Sequence, residues 1–215
     1  MPALAALRFR SYAPSAMLDT HSHKFIQPLL NLIARWCLRV GVSANTLTLA
    51  GLVCGLLAAL CIALGVPQLG VVVLWLSGLL DAADGTLARL TQPSMLGAVM
   101  DITFDRVVEV AVIIALAWRY PEARLALLLL CAVIVVAMSL FLSIAAAVRN
   151  DSSKSFYYAT GFAERTEGFI FLSIMSLDAS RLVLWSLLFT AAIVFTMAQR
   201  VRDLRVALAR SAPPM

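Results

Sequence analysis

Five acidic residues lie close together in a chain that is otherwise very apolar. They are Asp81, Asp84, Asp101, Asp105 and Glu109, and the whole chain of 215 residues has only twelve acidic side chains. A carboxylate inside a membrane or at its edge is costly, so it is by default a candidate functional group. Four aspartates arranged as two pairs make that hypothesis more specific.

The spacing of the four aspartates predicts two acidic helix faces. Asp81 and Asp84 are three residues apart, and Asp101 and Asp105 are four apart, so each pair lies on one side of a helix. A turn near Pro93 lies midway between the pairs. An antiparallel helix pair would therefore set Asp81 level with Asp105 and Asp84 level with Asp101, and the four carboxylates would converge on one pocket.

Two glycines continue these faces. Gly85 and Arg89 follow Asp81 at steps of four residues, and Gly97 precedes Asp101 by four. Because glycine has no side chain, we expect Gly85 and Gly97 to let the two backbones come close beside the pocket.

The chemistry that suits such a pocket is metal binding. Four carboxylates repel one another, and a hard divalent cation with oxygen ligands, such as Mg²⁺, Mn²⁺ or Ca²⁺, relieves that repulsion. Two cations that share the carboxylates would suit a substrate with two adjacent phosphates.

This pattern resembles the signature of the CDP-alcohol phosphotransferases, also called CDP-alcohol phosphatidyltransferases. That signature reads D-x-x-D-G-x-x-A-R and then G-x-x-x-D-x-x-x-D. The resemblance implies a metal-dependent integral membrane enzyme of phospholipid biosynthesis that uses Mg²⁺ or Mn²⁺, with two ions, and forms a homodimer. In such an enzyme an alcohol attacks a CDP-linked lipid such as CDP-diacylglycerol, CMP leaves, and a phosphodiester forms. The matching residues are Asp81, Asp84, Gly85, Ala88, Arg89, Gly97, Asp101 and Asp105.

The resemblance also implies a role for each residue. Asp105 is the expected catalytic base, because it is the final aspartate of the signature and lies deepest on its face. Arg89 can bind phosphate in a bidentate manner. Residues 44–48 resemble the family's P-N-x-x-T entry to the first helix, with Ala44 in place of Pro. The expected metal ligands are Asp81, Asp84, Asp101 and Asp105; the expected nucleotide- and diphosphate-binding residues are Asn45, Thr48, Gly85, Ala88, Arg89 and Gly97.

Composition places the chain among integral membrane proteins. The hydrophobic fraction is 62%, charged residues make up 13%, and the mean hydropathy is +0.92. The net charge of +5 is spread over helix ends. That distribution indicates contact with anionic membrane lipids rather than with nucleic acid.

The apolar runs predict an all-α bundle of six transmembrane helices preceded by an amphipathic interfacial helix. We divide the chain into a basic N-terminal tail (1–20), the interfacial helix (21–41), a six-helix catalytic domain (42–203) and a C-terminal tail (204–215). The apolar part of the second span, Val71–Leu80, rises only about 15 Å, against a hydrocarbon core of about 30 Å. Asp81 is therefore expected within the depth of the membrane. The predicted spans are 45–64, 71–90, 96–118, 125–148, 158–177 and 182–198.

Lysine and arginine counts predict the orientation of the bundle. With the N-terminus inside, the cytoplasmic segments carry fourteen of these residues and the opposite side carries three, Arg119, Arg124 and Arg181. We expect a multi-pass protein of the cell's inner membrane whose acidic pocket faces the cytoplasm. The apolar stretch Ala3–Leu7 is too short for a secretory signal ahead of Arg8.

The identity of the alcohol depends on basic residues near the pocket. Asp105-Arg106 with Glu109, and the later Glu164-Arg165, resemble the branch of the family that uses inositol phosphate. A small phosphorylated polyol is therefore the expected acceptor, with glycerol 3-phosphate as a rival. An uncharged acceptor (serine, inositol or diacylglycerol) stays open, because nearby acidic residues could instead pair with the basic ones. The expected acceptor-binding residues are Arg106, Arg149, Lys154 and Arg165.

Other functions stay open at this point. Paired carboxylates at membrane depth would suit a cation transporter, although half-helix breaks and internal repeats are missing from the sequence. A membrane scaffold and an intramembrane metal hydrolase are further alternatives. Release of CMP on addition of CDP-diacylglycerol separates the transferase from all three.

Overall fold

The structure, a computed structural model, describes residues 18–147 and 165–211. All regular structure in these ranges is helical, which confirms the all-α fold class. Short 3-10 turns, Pro121–Ala123 and Ala179–Arg181, precede the fifth and seventh helices. The helices are α1 (Leu18–Arg39), α2 (Ala44–Ala63), α3 (Pro67–Leu90), α4 (Met95–Arg119), α5 (Arg124–Ala147), α6 (Arg165–Leu177) and α7 (Leu182–Ser211).

Four of the described helices are long and apolar enough to cross a membrane, namely α2, α3, α5 and α7. Helix α4 has 25 residues but carries the acidic face and its neighbouring charges. Helix α6 is described over 13 residues, and positions 158–164 of the predicted fifth span lie outside the described residues. The multi-pass membrane arrangement is confirmed, whereas the count of six spans stays a prediction.

Helix α1 has two apolar faces. Leu30, Ala34 and Cys37 are buried in a cluster with residues of α2 and α3. Leu32 and Trp36 lie exposed on the other side, where an interfacial helix would meet lipid. The helix begins at Leu18, three residues before the predicted start, and Pro28 lies inside it.

Helix α2 is the centre of the bundle, because it packs against both α3 and α4. Small residues make the close approach possible. A side chain on Gly51 would meet the backbone of α3 at Ser77, and one on Gly55 would collide with Val108 of α4. The Ser77 hydroxyl also donates a 2.7 Å hydrogen bond to the Gly51 carbonyl. This buried bond ties α3 to α2 one turn before Asp81.

The turn between α2 and α3 is shorter than expected. Residues 65–70 were predicted to form a loop, but α3 begins at Pro67. Proline is favoured at the first position of a helix because the N–H that it lacks has no partner there. Gly65 supplies the positive φ of 87° that the turn needs, and the Arg119 guanidinium packs against it.

Helix α6 is held against α3 by aromatic packing. A side chain on Gly78 would lie 2.6 Å from the ring of Phe169, so glycine is needed for this approach. The Trp75 indole meets Phe169 edge to face at 6.1 Å and donates a 3.1 Å hydrogen bond to Ser173. These contacts place the first turns of α6 beside the acidic residues of α3 and α4.

Helix α7 extends well past its predicted end. It was expected to stop near residue 198 and to leave a tail from residue 204, but it continues to Ser211. The added residues are mostly alanine, leucine, valine and arginine, and alanine, leucine and arginine have high helix propensity. The helix therefore continues beyond its apolar part.

Candidate active site

Three aspartates from two helices meet at the predicted pocket. One carboxylate oxygen each from Asp81, Asp84 and Asp101 lie within 4.8 Å of one another. Asp81 and Asp84 are on the second half of α3 and Asp101 is on the second turn of α4. The predicted proximity of Asp84 and Asp101 is therefore present, and Asp101 rather than Asp105 completes the group with Asp81.

This group has the donor set of a site for a hard divalent cation. Oxygen Oδ2 of Asp84 is buried and accepts no hydrogen bond from the described residues. A buried polar atom without a partner costs free energy unless another ligand satisfies it. Three converging carboxylates with an unsatisfied oxygen suit Mg²⁺ or Mn²⁺, which prefer oxygen ligands. Asp81, Asp84 and Asp101 would hold the ion.

Asp105 lies beside this group without joining it. Its carboxylate is close enough to Asp101 and Asp84 to interact with both electrostatically. It lies one helical turn after Asp101, about 6 Å further along α4. Its position fits a group that acts on a substrate bound at the metal site, and its role as a ligand stays a prediction.

Gly85 and Gly97 were expected to bring the backbones of α3 and α4 close together, and this expectation is wrong. Helices α3 and α4 make few direct contacts, and α2 lies against both. A side chain on Gly85 would meet only the Arg89 guanidinium, at 3.7 Å. One on Gly97 would meet Ser94 at 3.0 Å and Asn45 at 3.1 Å. Gly85 thus faces open space beside an arginine, and Gly97 makes room for Asn45.

The first turn of α2 contributes two polar side chains to the pocket. Ser43 caps the helix and accepts a 3.2 Å hydrogen bond from the Thr46 amide, so Asn45 is not needed as a cap. The Asn45 side-chain oxygen lies at the start of α4, next to Gly97. Thr48 is buried against the Asp84 carboxylate. The predicted nucleotide-binding residues therefore flank the metal group.

Arg89 lies at the mouth of the pocket. Its guanidinium donates a 2.9 Å hydrogen bond to the Thr86 hydroxyl and passes over Gly85. The side chain is exposed, so its other N–H groups can reach an anion. Ala88, the residue before it, is half-buried. This arrangement offers a positive charge next to the space that Gly85 leaves.

Only one of the predicted acceptor-binding side chains is described. Arg106 forms a 2.6 Å ion pair with Glu109 on the next turn of α4. Arg149 and Lys154 lie outside the described residues. Arg165 begins α6, on the helix that packs beside Glu109, but its side chain is not among those described. The four assignments stay predictions.

Two features of the site were missed by sequence reasoning. Gly51 and Gly55 bring α2 against α3 and α4, and the G-x-x-x-G spacing, a common signal for close helix packing in membranes, could have found them. Gly168 of α6 comes within 3.7 Å of the Glu109 carboxylate, measured from its ideal Cβ position. No local pattern marks that contact.

A second cavity lies at the other end of the bundle. It is a groove of about 610 Å³ between the two 3-10 turns, and Glu122, Ser180 and Arg181 are among its lining residues. It is about 30 Å from Asp101, as judged from the length of α4. The groove is therefore separate from the candidate active site.

The chain is similar to known proteins over most of its length. Residues 41–201 match the family model described as CDP-alcohol phosphatidyltransferase. The chain is 35% identical to the inner membrane protein YnjF of Escherichia coli over 159 residues, which cover 70% of this chain and 77% of that one. It is 31% identical over 202 residues to the phosphatidylinositol phosphate synthase of Corynebacterium glutamicum, with coverage of 86% and 88%.

Solved structures show the same fold. The crystal structure of Mycobacterium tuberculosis phosphatidylinositol phosphate synthase (PgsA1) with CDP-DAG bound superposes with a TM-score of 0.69 at 26% identity, covering 81% of this chain and 92% of that one. The same enzyme in complex with manganese and citrate gives a TM-score of 0.66 at 27% identity, covering 80% and 87%.

Proposed function

Because this chain belongs to the CDP-alcohol phosphatidyltransferase family, we propose that it transfers a phosphatidyl group from CDP-diacylglycerol to a small phosphorylated polyol and releases CMP. One observation carries the proposal. The carboxylates of Asp81, Asp84 and Asp101 converge within 4.8 Å, beside the open space over Gly85 and the guanidinium of Arg89. A diphosphate needs such a combination of metal ligands, room and positive charge.

The donor lipid is held by residues of three helices. Asn45 and Thr48 of α2 lie on the side of the pocket nearest the start of α4 and would contact the cytidine end. Gly85 lets a phosphate approach the α3 backbone, and Arg89 binds its oxygens. When bound, a divalent cation at the aspartates would offset the charge of the diphosphate and of the departing CMP.

The transfer step is a substitution at the phosphorus that carries the diacylglycerol. The acceptor hydroxyl oxygen forms the new P–O bond, and the P–O bond to CMP breaks. Asp105 accepts the hydroxyl proton, since it lies beside Asp84 and Asp101 without belonging to their tight group. Because both substrates are held side by side, the step gains from proximity and orientation.

The acceptor site is proposed on the side of Asp105 that faces Arg106. This arginine is about one-third exposed, and a guanidinium suits the oxygens of a phosphate. The phosphatidylinositol phosphate synthases of Corynebacterium glutamicum and Mycobacterium tuberculosis are among the similar proteins. They support a phosphorylated polyol, of which inositol phosphate and glycerol 3-phosphate are the two to compare.

The arrangement in the membrane is proposed from the charge distribution. The basic ends of the chain and the turn before α4 lie inside, so the pocket opens to the cytoplasm. We also propose a homodimer, which a mass measurement of the protein in nanodiscs tests directly. A protein that is only monomeric there contradicts this part of the proposal.

A panel of acceptors tests the proposed function. Purified protein is incubated with CDP-diacylglycerol and Mn²⁺, and CMP release is measured with inositol phosphate, glycerol 3-phosphate, inositol, serine and diacylglycerol. We expect release with a phosphorylated polyol and none in excess EDTA. If CMP is released only with an uncharged alcohol, that alcohol replaces the phosphorylated polyol as the proposed acceptor. If CMP is released with none of the alcohols, the proposed transfer is wrong.

A further inference from the structure

An ion pair with a buried acid and a partly exposed base follows the aspartates along α4. The Arg106 guanidinium lies 2.6 Å from the Glu109 carboxylate; the Glu109 side chain is 5% exposed and that of Arg106 is 32% exposed. Helix α6 covers the carboxylate, since the ideal Cβ position on Gly168 is 3.7 Å from Glu109 Oε1. The acid is thus enclosed, and part of the base remains accessible.

Stability alone is a weak explanation for this pair. Burying two charges costs desolvation free energy that their attraction often fails to repay, and apolar residues of similar size are frequently as stable. The cost is greatest where lipid surrounds the helices. The remainder of α4 after Glu109 is almost wholly apolar up to its last residue. A charged pair kept next to the pocket therefore suggests a function.

The pair is placed to act on the acceptor. Both of its charges interact electrostatically with Asp105, the proposed base. The Glu109 carboxylate contacts the guanidinium of Arg106 at Nη1. A guanidinium has five N–H donors in one plane, so a single carboxylate leaves others available. Since Glu109 itself is enclosed by α6, it contacts the guanidinium from the buried side.

We propose that Glu109 is a positioning residue, which holds Arg106 beside Asp105 so that the free donors of Arg106 bind the phosphate of the acceptor. This inference rests on the proposed function, because it concerns the same site. It assigns a task to an acidic residue that neither binds the metal nor touches the substrate. Glu109 acts only through Arg106, and that dependence makes the idea testable.

Four variants form the test: Glu109→Gln, Glu109→Asp, Arg106→Gln and Glu109→Gln combined with Arg106→Gln. For each, the KM for inositol phosphate or glycerol 3-phosphate, the KM for CDP-diacylglycerol, kcat and Tm are measured. Asp203→Asn is the matched control, because it removes an acid from the exposed Arg202–Asp203 pair on α7. The control is expected to change none of these values.

We expect both single variants to raise the KM of the phosphorylated acceptor about tenfold, the effect of one charged hydrogen bond. The KM for CDP-diacylglycerol should change little. The double variant should match Arg106→Gln alone, because Glu109 has nothing to position once the guanidinium is gone. Glu109→Asp, which keeps the charge, should restore part of the affinity.

A purely structural pair predicts different results. If Glu109→Gln lowers Tm and affects both substrates alike, or leaves the acceptor KM unchanged, the inference is wrong. If Glu109→Gln does not fold, Glu109→Asp decides the matter, because its shorter side chain should raise the acceptor KM without a matching loss in Tm. Equal acceptor KM values for Glu109→Asp and the wild type would then overturn it.

A binding measurement separates this inference from the proposed function. The Tm of the wild-type protein and of Glu109→Gln is followed as inositol phosphate or glycerol 3-phosphate is added, without CDP-diacylglycerol. A rise in the wild type that is lost in Glu109→Gln supports the inference even if no CMP is released. The inference fails if the Tm of the wild type does not rise and the KM of the phosphorylated acceptor does not depend on Glu109 or Arg106. In that case, CMP release with another alcohol would still support the transferase function.

Discussion

The side-chain oxygen of Asn45 lies 3.1 Å from the point where a Cβ on Gly97 would lie. The same point is 3.0 Å from the Ser94 hydroxyl, which accepts a 2.9 Å hydrogen bond from the Gly97 amide and caps α4. The start of α4 and the first turn of α2 therefore meet at a glycine. This contact joins the proposed nucleotide-binding residues to the helix that carries Asp101.

Gly97→Ala should displace Asn45, because both distances are shorter than ordinary contacts and one of the neighbours must move. We expect a rise of several-fold in the KM for CDP-diacylglycerol, with the acceptor KM little changed. Asn45→Ala should give a similar rise. In the Asn45→Ala background, Gly97→Ala should add less to this KM, because only its contact with Ser94 remains. Fully additive effects would show that Gly97 acts independently of Asn45.

Asp105→Asn and Asp101→Asn should differ in metal binding. Asp101 belongs to the group within 4.8 Å and Asp105 does not. Mn²⁺ binding, followed by electron paramagnetic resonance, should therefore weaken about tenfold or more in Asp101→Asn and much less in Asp105→Asn. Asp105→Asn should still lose about 10²- to 10⁴-fold in kcat, the usual contribution of a general base. An active Asp105→Asn protein would rule out the proposed base.

Gly55→Ala should lower thermal stability, because its Cβ would collide with the Val108 side chain. Overpacking of this kind costs about 1–3 kcal/mol. Val108→Ala should rescue Gly55→Ala by returning the lost space, and Tm measured in detergent reports both effects. Failure of the rescue would mean that Val108 is not the limiting neighbour.

The proposed sidedness predicts the labelling of two exposed positions, Ser94 before α4 and Glu122 after it. In a protein without its native cysteines, Ser94→Cys should react with a membrane-impermeant thiol reagent only in inverted vesicles. Glu122→Cys should react from the outer side of the membrane, as it lies at the far end of α4. The reverse pattern would contradict the orientation derived from the charges.

The two acidic faces could be predicted from the sequence because they depend on local geometry alone. A helix repeats every 3.6 residues, so spacings of three and four residues place Asp81 with Asp84, and Asp101 with Asp105, on common faces. Because a charge in lipid is costly, these faces are expected to line a pocket. Because carboxylate oxygens bind hard cations, the pocket is expected to hold such a metal ion.

Which helices meet, and at what level, was decided by the tertiary structure. Periodicity predicts the face that a helix buries but not its partner, so the position of α2 against both α3 and α4 did not follow from the sequence. Gly51 and Gly55 indicate a close approach, but only packing selects Ser77 and Val108 as the neighbours. The enclosure of Glu109 by α6 likewise depends on contacts between residues far apart in the chain, because side chains so separated meet only once the helices have packed.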